Sequence, residues 1–103
     1  MAIRLKTLPP ITVTQAGGRK RLSETSILVY AISIQSLRTN TGYQYIGDDS
    51  VSSSNGQEFG PSDMVEIEPP MGGKEPQQFD IREIWLDSTT NNAEFRAIVW
   101  IRE

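Results

Sequence analysis

The chain has 103 residues, ten Lys+Arg against thirteen Asp+Glu, and neither cysteine nor histidine. That length is one domain, and area scaling has it bury about 65% of its surface on folding, a thin core. Without cysteine there is no disulfide framework, thiolate nucleophile or Cys-ligated metal, and without histidine the commonest general base and metal ligand is gone.

The N-terminal hexapeptide, Met1 to Lys6, alternates apolar and charged residues and has no continuous apolar stretch, so it is not expected to be a secretory signal. No apolar run approaches the ~20 residues of a membrane-spanning helix. A net charge of −3 argues against nucleic acid as a partner, but it is unevenly spread: residues 1–51 carry six basic and three acidic groups, residues 52–103 four and ten.

In chain order the periodicity is that of strands. Ile3 and Leu5 alternate with Arg4 and Lys6, and Ile11 and Val13 with Thr12 and Thr14. The run from Ile27 to Gln35 is expected as one strand, with Leu28, Tyr30, Ile32 and Ile34 on one face and Ile27, Val29, Ala31, Ser33 and Gln35 on the other. Tyr43 and Tyr45 share a face, Val65 and Ile67 alternate with Glu66 and Glu68, and Phe79 and Ile81 lead into Ile84-Trp85-Leu86. The chain closes with Phe95, Ala97, Val99 and Ile101 opposite Arg96, Ile98, Trp100 and Arg102. Turn signals separate these runs, among them Pro9-Pro10, Gly17-Gly18, Asn40-Thr41-Gly42, Asn55-Gly56 and Gly60-Pro61. About eight short strands so punctuated predict an all-β fold, a single antiparallel β-sandwich that a jelly-roll path would also satisfy. We divide the chain into an N-terminal arm, residues 1–10, and a sandwich domain, residues 11–103. The polar stretches Asp48–Gly56 and Pro69–Gln78 are expected as surface or contact loops.

Few residues carry a pattern for chemistry. Glu66 and Glu68 stand two apart on a strand, near enough for paired-carboxylate hydrolysis, but the same alternation is the solvent face of an edge strand. Asp48, Asp49 and Asp63 offer oxygens to calcium without the order of an EF-hand loop, and aspartates at turns need no metal. Ser52, Ser53 and Ser54 have no histidine to activate them. No catalytic residue, resident metal or cofactor is expected. The expected sites are contact residues. Arg19, Lys20 and Arg21 follow a flexible Gly17-Gly18 turn, and Arg96 and Trp100 share the mixed arginine and aromatic face typical of interfaces. Ile3, Arg4, Leu5 and Lys6 have the composition of a strand that adds to a neighbour's sheet edge. Tyr43, Tyr45 and Trp85 are alternative stacking platforms for a sugar.

The order of these signals resembles a group of small tailed-bacteriophage and prophage virion proteins. The residues that carry the likeness are the run from Ile11 to Leu22 with Ala16-Gly17-Gly18-Arg19-Lys20-Arg21, the pair Ile34-Gln35, Asn40-Thr41-Gly42, Tyr45-Ile46-Gly47-Asp48, Val51-Ser52-Ser53 with Asn55-Gly56, Gly60-Pro61, and Ile84-Trp85-Leu86-Asp87 with Thr89-Thr90-Asn91. The resemblance spans residues 11–92 and implies a non-enzymatic structural protein, assembled in the host cytoplasm and docked on the major capsid protein as decoration or cement. A small domain with a thin core is also expected to gain stability by self-association, and on such a capsid a trimer is the state that suits threefold positions. A head–tail connector or tail accessory role, and a carbohydrate-binding or receptor-binding module, are the alternatives.

Overall fold

The computed structural model describes residues 2–69 and 77–102. Most of the expected Pro69–Gln78 loop therefore lies outside the described residues. In chain order the strands are β1 (Ile3–Thr7), β2 (Ile11–Val13), β3 (Lys20–Arg21), β4 (Leu28–Val29), β5 (Ala31–Ser36), β6 (Gln44–Gly47), β7 (Gln57–Phe59), β8 (Met64–Ile67), β9 (Phe79–Asp80), β10 (Trp85–Ser88) and β11 (Ala93–Arg102), with one 3-10 turn at Ile81–Glu83. Eight of these strands have three or more residues; β3, β4 and β9 have two. Every strand pair among the described residues is antiparallel. The fold is all-β, with two main sheets packed as a sandwich.

The long final strand organises the first sheet. One edge of β11 pairs with β5, which pairs in turn with β8; the other edge takes β2 against its first half and β1 against its second. The elbow between β1 and β2 is Leu8-Pro9-Pro10. Two residues without an N–H cannot continue a ladder, while Leu8 is buried and its N–H donates to the Ala97 carbonyl. Residues 3–7, expected as an arm, thus form an edge strand of the chain's own sheet, and none of the five is buried. The second sheet runs β3-β10-β6-β7, and β4 pairs with β9 in a small ribbon.

Strict alternation along β11 explains the core. Phe95, Ala97 and Val99 turn inward with Ile32 and Ile34 of β5 and meet Leu86, Ile46 and Phe59 of the second sheet. Phe95 and Phe59 span the two layers with ring centroids 5.9 Å apart. The run from Ile27 to Gln35 departs from the expected single strand. The chain bends at Tyr30, whose N–H donates to the Trp100 carbonyl, so Val29 and Tyr30 are both buried while Leu28 faces solvent. Pairing of Val29 with Phe79 in the β4–β9 ribbon sets this change of phase.

Candidate docking surface

The outer face of the first sheet is assembled from four strands by register alone. Leu5, Trp100 and Ala31 lie in one row across β1, β11 and β5. Thr7, Ile98, Ser33 and Glu66 form the next row, reaching β8, and Arg96, Gln35 and Met64 the third. Ile3 lies opposite Arg102 at the far end. Since paired residues in an antiparallel sheet share a face, all these side chains point the same way, away from the core. Seven large hydrophobic residues are exposed among those described, and five of them, Ile3, Leu5, Met64, Ile98 and Trp100, belong to this face. Elsewhere the exposed large hydrophobics are Leu28 and Tyr43.

The face has relief. Bulky Arg96, Ile98 and Trp100 make a ridge along β11, and small Ala31 and Ser33 leave a furrow along β5. Two hollows open from it, one of about 520 Å³ bordered by Pro10, Ser33, Met64, Arg96 and Ile98, and one of about 330 Å³ bordered by Ile3, Ala31, Glu68 and Trp100. Arg96 and Arg102 bring positive charge to β11, Glu66 and Glu68 negative charge to and beyond β8, and Arg96 also reaches Glu94 at 3.5 Å.

Of the expected contact residues, Ile3, Leu5, Arg96 and Trp100 come together on this surface. Arg4 and Lys6 do not, because their register partners Ile101 and Val99 belong to the inward side of β11; both remain exposed beyond the second sheet's cover. Arg19 and Lys20 are exposed at the β3 edge of the second sheet. A hollow of about 200 Å³ bordered by Leu8, Pro9, Pro10, Lys20 and Arg21 joins that edge to the β1–β2 elbow. Arg21 is held internally: its guanidinium lies 4.9 Å from the Trp85 ring centroid and 3.8 Å from Glu24, and its Nε is buried without a hydrogen-bond acceptor among the described residues.

The remaining candidates are occupied by the fold. Tyr45 is buried and its hydroxyl donates to Glu58 at 2.7 Å, so with Arg21 over Trp85 the three possible stacking residues offer only Tyr43 as an open ring. The Glu58 carboxylate raises the Tyr45 pKa, first by accepting that hydrogen bond and then with burial and charge. Asp48 Oδ1 accepts from the Ser50 hydroxyl and N–H, which holds its carboxyl below the usual carboxylate range. Asp63 closes a separate turn on the Gly60 N–H. No cluster of three acidic groups suited to a metal occurs among the described residues. The 48–56 segment is a closed turn with Val51 buried and Ser52 bridged to Asn55. Glu66 and Glu68 are exposed at the β8 edge.

No protein-family model, curated protein or solved structure matches the chain. Sequence reading missed Met64, Ala31 and Ser33 as parts of the surface. Their period-two spacing with Glu66 and Gln35 was visible, but only the β5–β8 register places them beside Ile98.

Proposed function

We propose that the protein is a non-enzymatic component of a tailed-bacteriophage particle that docks on the major capsid protein as a decoration or cement subunit. The observation that carries this reading is the gathering of five exposed large hydrophobics and two arginines on one sheet face. Contiguous apolar surface of that kind marks contact sites, and arginine with tryptophan is the composition of interface centres. A chain without histidine or cysteine lacks the usual nucleophile–base pairs, in keeping with work done by contact. The phage setting rests on the residue pattern from Ile11 to Asn91.

On the opposite side of β1, Arg4 and Lys6, with Arg19 and Lys20 at the β3 edge, give the molecule an exposed basic margin. Such a margin suits an acidic capsid surface, and many copies on one shell would hold through avidity without a strong single contact. The test is to mix purified protein with heads lacking it and pellet them. Saturable co-sedimentation that weakens in the Arg19→Glu/Lys20→Glu variant is expected; protein left in the supernatant overturns the reading.

A further inference from the structure

The ridge along β11 and the furrow at Ala31 and Ser33 of β5 are adjacent and opposite in shape. We infer that the outer face of the first sheet seats a second copy of this chain, related to the first by a two-fold axis parallel to the strands. The inference rests on reading this face as a contact surface; it assigns the face to a second copy and leaves exposed Arg19 and Lys20 to meet the capsid.

Such an axis exchanges the two middle strands, so that β11 of each copy lies over β5 of the other. Trp100 then stands over the partner's Ala31 and Ile98 over the partner's Ser33, large against small, and two-fold symmetry makes each match twice. The same operation lays β1 over the partner's β8. Row for row, Thr7 then meets the partner's Glu66 and Leu5 the partner's Glu68, so this outer pair of strands is the mixed border of the contact. Strands of the two sheets remain roughly aligned, the common geometry for sheets packed face to face.

Charge selects the same axis. Arg96 and Arg102 lie on the ridge, and Glu66 and Glu68 line the far side of the furrow. When the ridge enters the partner's furrow, each arginine comes diagonally beside one of the partner's glutamates. A two-fold axis running across the strands does the reverse. It sets ridge on ridge, leaves both furrows empty and brings Glu66 against the partner's Glu66, an arrangement penalised by like charge.

The extent is adequate for a modest pair. Four strands ~4.8 Å apart and outward rows ~6.8 Å apart give a flat footprint of roughly 400–500 Å². Side-chain relief brings this near the lower end of specific interfaces, about 600–800 Å² per partner. A closed two-fold pair is the product, in place of the trimer that capsid geometry alone favours.

Sedimentation equilibrium over a wide concentration range tests this. The mass is expected to rise from 11.5 kDa toward twice that value, with Ser33→Phe, which fills the furrow, weakening association tenfold or more. Glu66→Arg and Arg96→Glu are each expected to weaken it, and the two together to restore it. Circular dichroism checks that these surface variants remain folded. A chain that stays monomeric, a trimer, or a dimer indifferent to all three substitutions overturns the inference. Capsid pelleting of Ser33→Phe separates the two readings: a wild-type monomer that still pellets refutes this pairing and leaves the capsid role standing, whereas a dimer broken by Ser33→Phe without any pelleting does the opposite.

Discussion

The Ser36 hydroxyl donates to Gln44 Oε1 at 2.7 Å, a hydrogen bond between two fully buried side chains that ties β5 in one sheet to β6 in the other. Asn40 Nδ2 donates to the same hydroxyl at 2.9 Å and to the Glu94 carbonyl at 2.8 Å, while Gln44 Nε2 donates to the Thr41 carbonyl at 3.0 Å. Removing one member of such a network strands its partners in the core, which costs about 1–3 kcal/mol. Ser36→Ala is therefore expected to lower the unfolding free energy measured by urea titration by that much, and Thr12→Ala, half-buried and outside the network, to leave it unchanged within ~0.5 kcal/mol. Equal values would show that the network adds nothing.

Gly42 closes the loop that this network anchors. Its φ is +69°, and a Cβ there would press on the Thr89 hydroxyl and the Thr90 methyl. Those threonines cannot easily yield, since Thr89 Oγ1 accepts the Tyr43 N–H at 3.0 Å and Thr90 Oγ1 donates to the Thr41 carbonyl at 2.9 Å. Gly17 has a similar φ of +76° but open space around it. Gly17→Ala is expected to cost the left-handed strain alone, about 1–2 kcal/mol, and Gly42→Ala clearly more. Thermal unfolding of the two variants side by side isolates the steric part.

Phe95 joins the layers through its contact with Phe59, and it is completely buried. Phe95→Ala removes the ring and leaves a cavity that flanking strands cannot close, so about 3–5 kcal/mol is expected to be lost. For a domain with a thin core this is a large share of the total stability, ordinarily about 5–15 kcal/mol. Phe95→Leu is expected to cost less, by keeping most of the volume. Denaturant titration distinguishes them; similar losses would point to a core that repacks.

Particular residues show what could be read before the fold was known. Phe95, Ala97 and Val99 against Arg96, Ile98 and Trp100 sort correctly because β11 is long, regular and half-buried. Leu28 and Val29 do not, since a bend at Tyr30 answers to a distant strand, β9, and leaves no mark on local periodicity. Gln44, Ser36, Asp87 and Ser88 are buried although their types predict exposure, because partners satisfy their polar atoms. The docking face unites residues from position 3 to position 102, and only strand register reveals it. Alternation did supply its composition: Trp100 with Arg96 and Ile3 with Leu5 were legible, while Arg4 and Lys6 were grouped with them although their parity sends them to the other face.

Asp80 contributes to stability against acid, as Asp48 does. Its carboxylate accepts the Ser26 hydroxyl at 2.6 Å and the Arg82 N–H at 2.9 Å, with the Arg82 guanidinium 3.3 Å away, and these hold its pKa below the ordinary value, the Ser26 hydrogen bond most of all. A carboxyl with a depressed folded pKa stabilises above its unfolded pKa, and that contribution disappears as pH falls through the folded one. Ser26→Ala is expected to move the acid unfolding midpoint upward, whereas Asp80→Asn removes this group's contribution to the acid transition. An acid midpoint unchanged by Ser26→Ala would exclude the hydrogen bond as its cause.

At the alkaline end the corresponding pair is Tyr45 and Glu58. The phenol donates to the Glu58 carboxylate, so losing the phenolic proton destroys the 2.7 Å hydrogen bond and sets negative charge against negative charge. The folded pKa of Tyr45 is accordingly raised. The native state therefore holds this proton more tightly than the unfolded chain does. The resulting stability is complete below the ordinary tyrosine value of about 10 and is lost as pH rises through the raised one. Native protein is expected to show a tyrosinate from Tyr45 that forms late in an ultraviolet absorbance titration, and this step is expected to vanish in Tyr45→Phe and to persist in Tyr43→Phe. Glu58→Gln keeps an acceptor and removes the charge, so it is expected to bring the step to lower pH without abolishing it. A late step that survives Tyr45→Phe would assign it to another ring and break the link between this pair and alkaline stability.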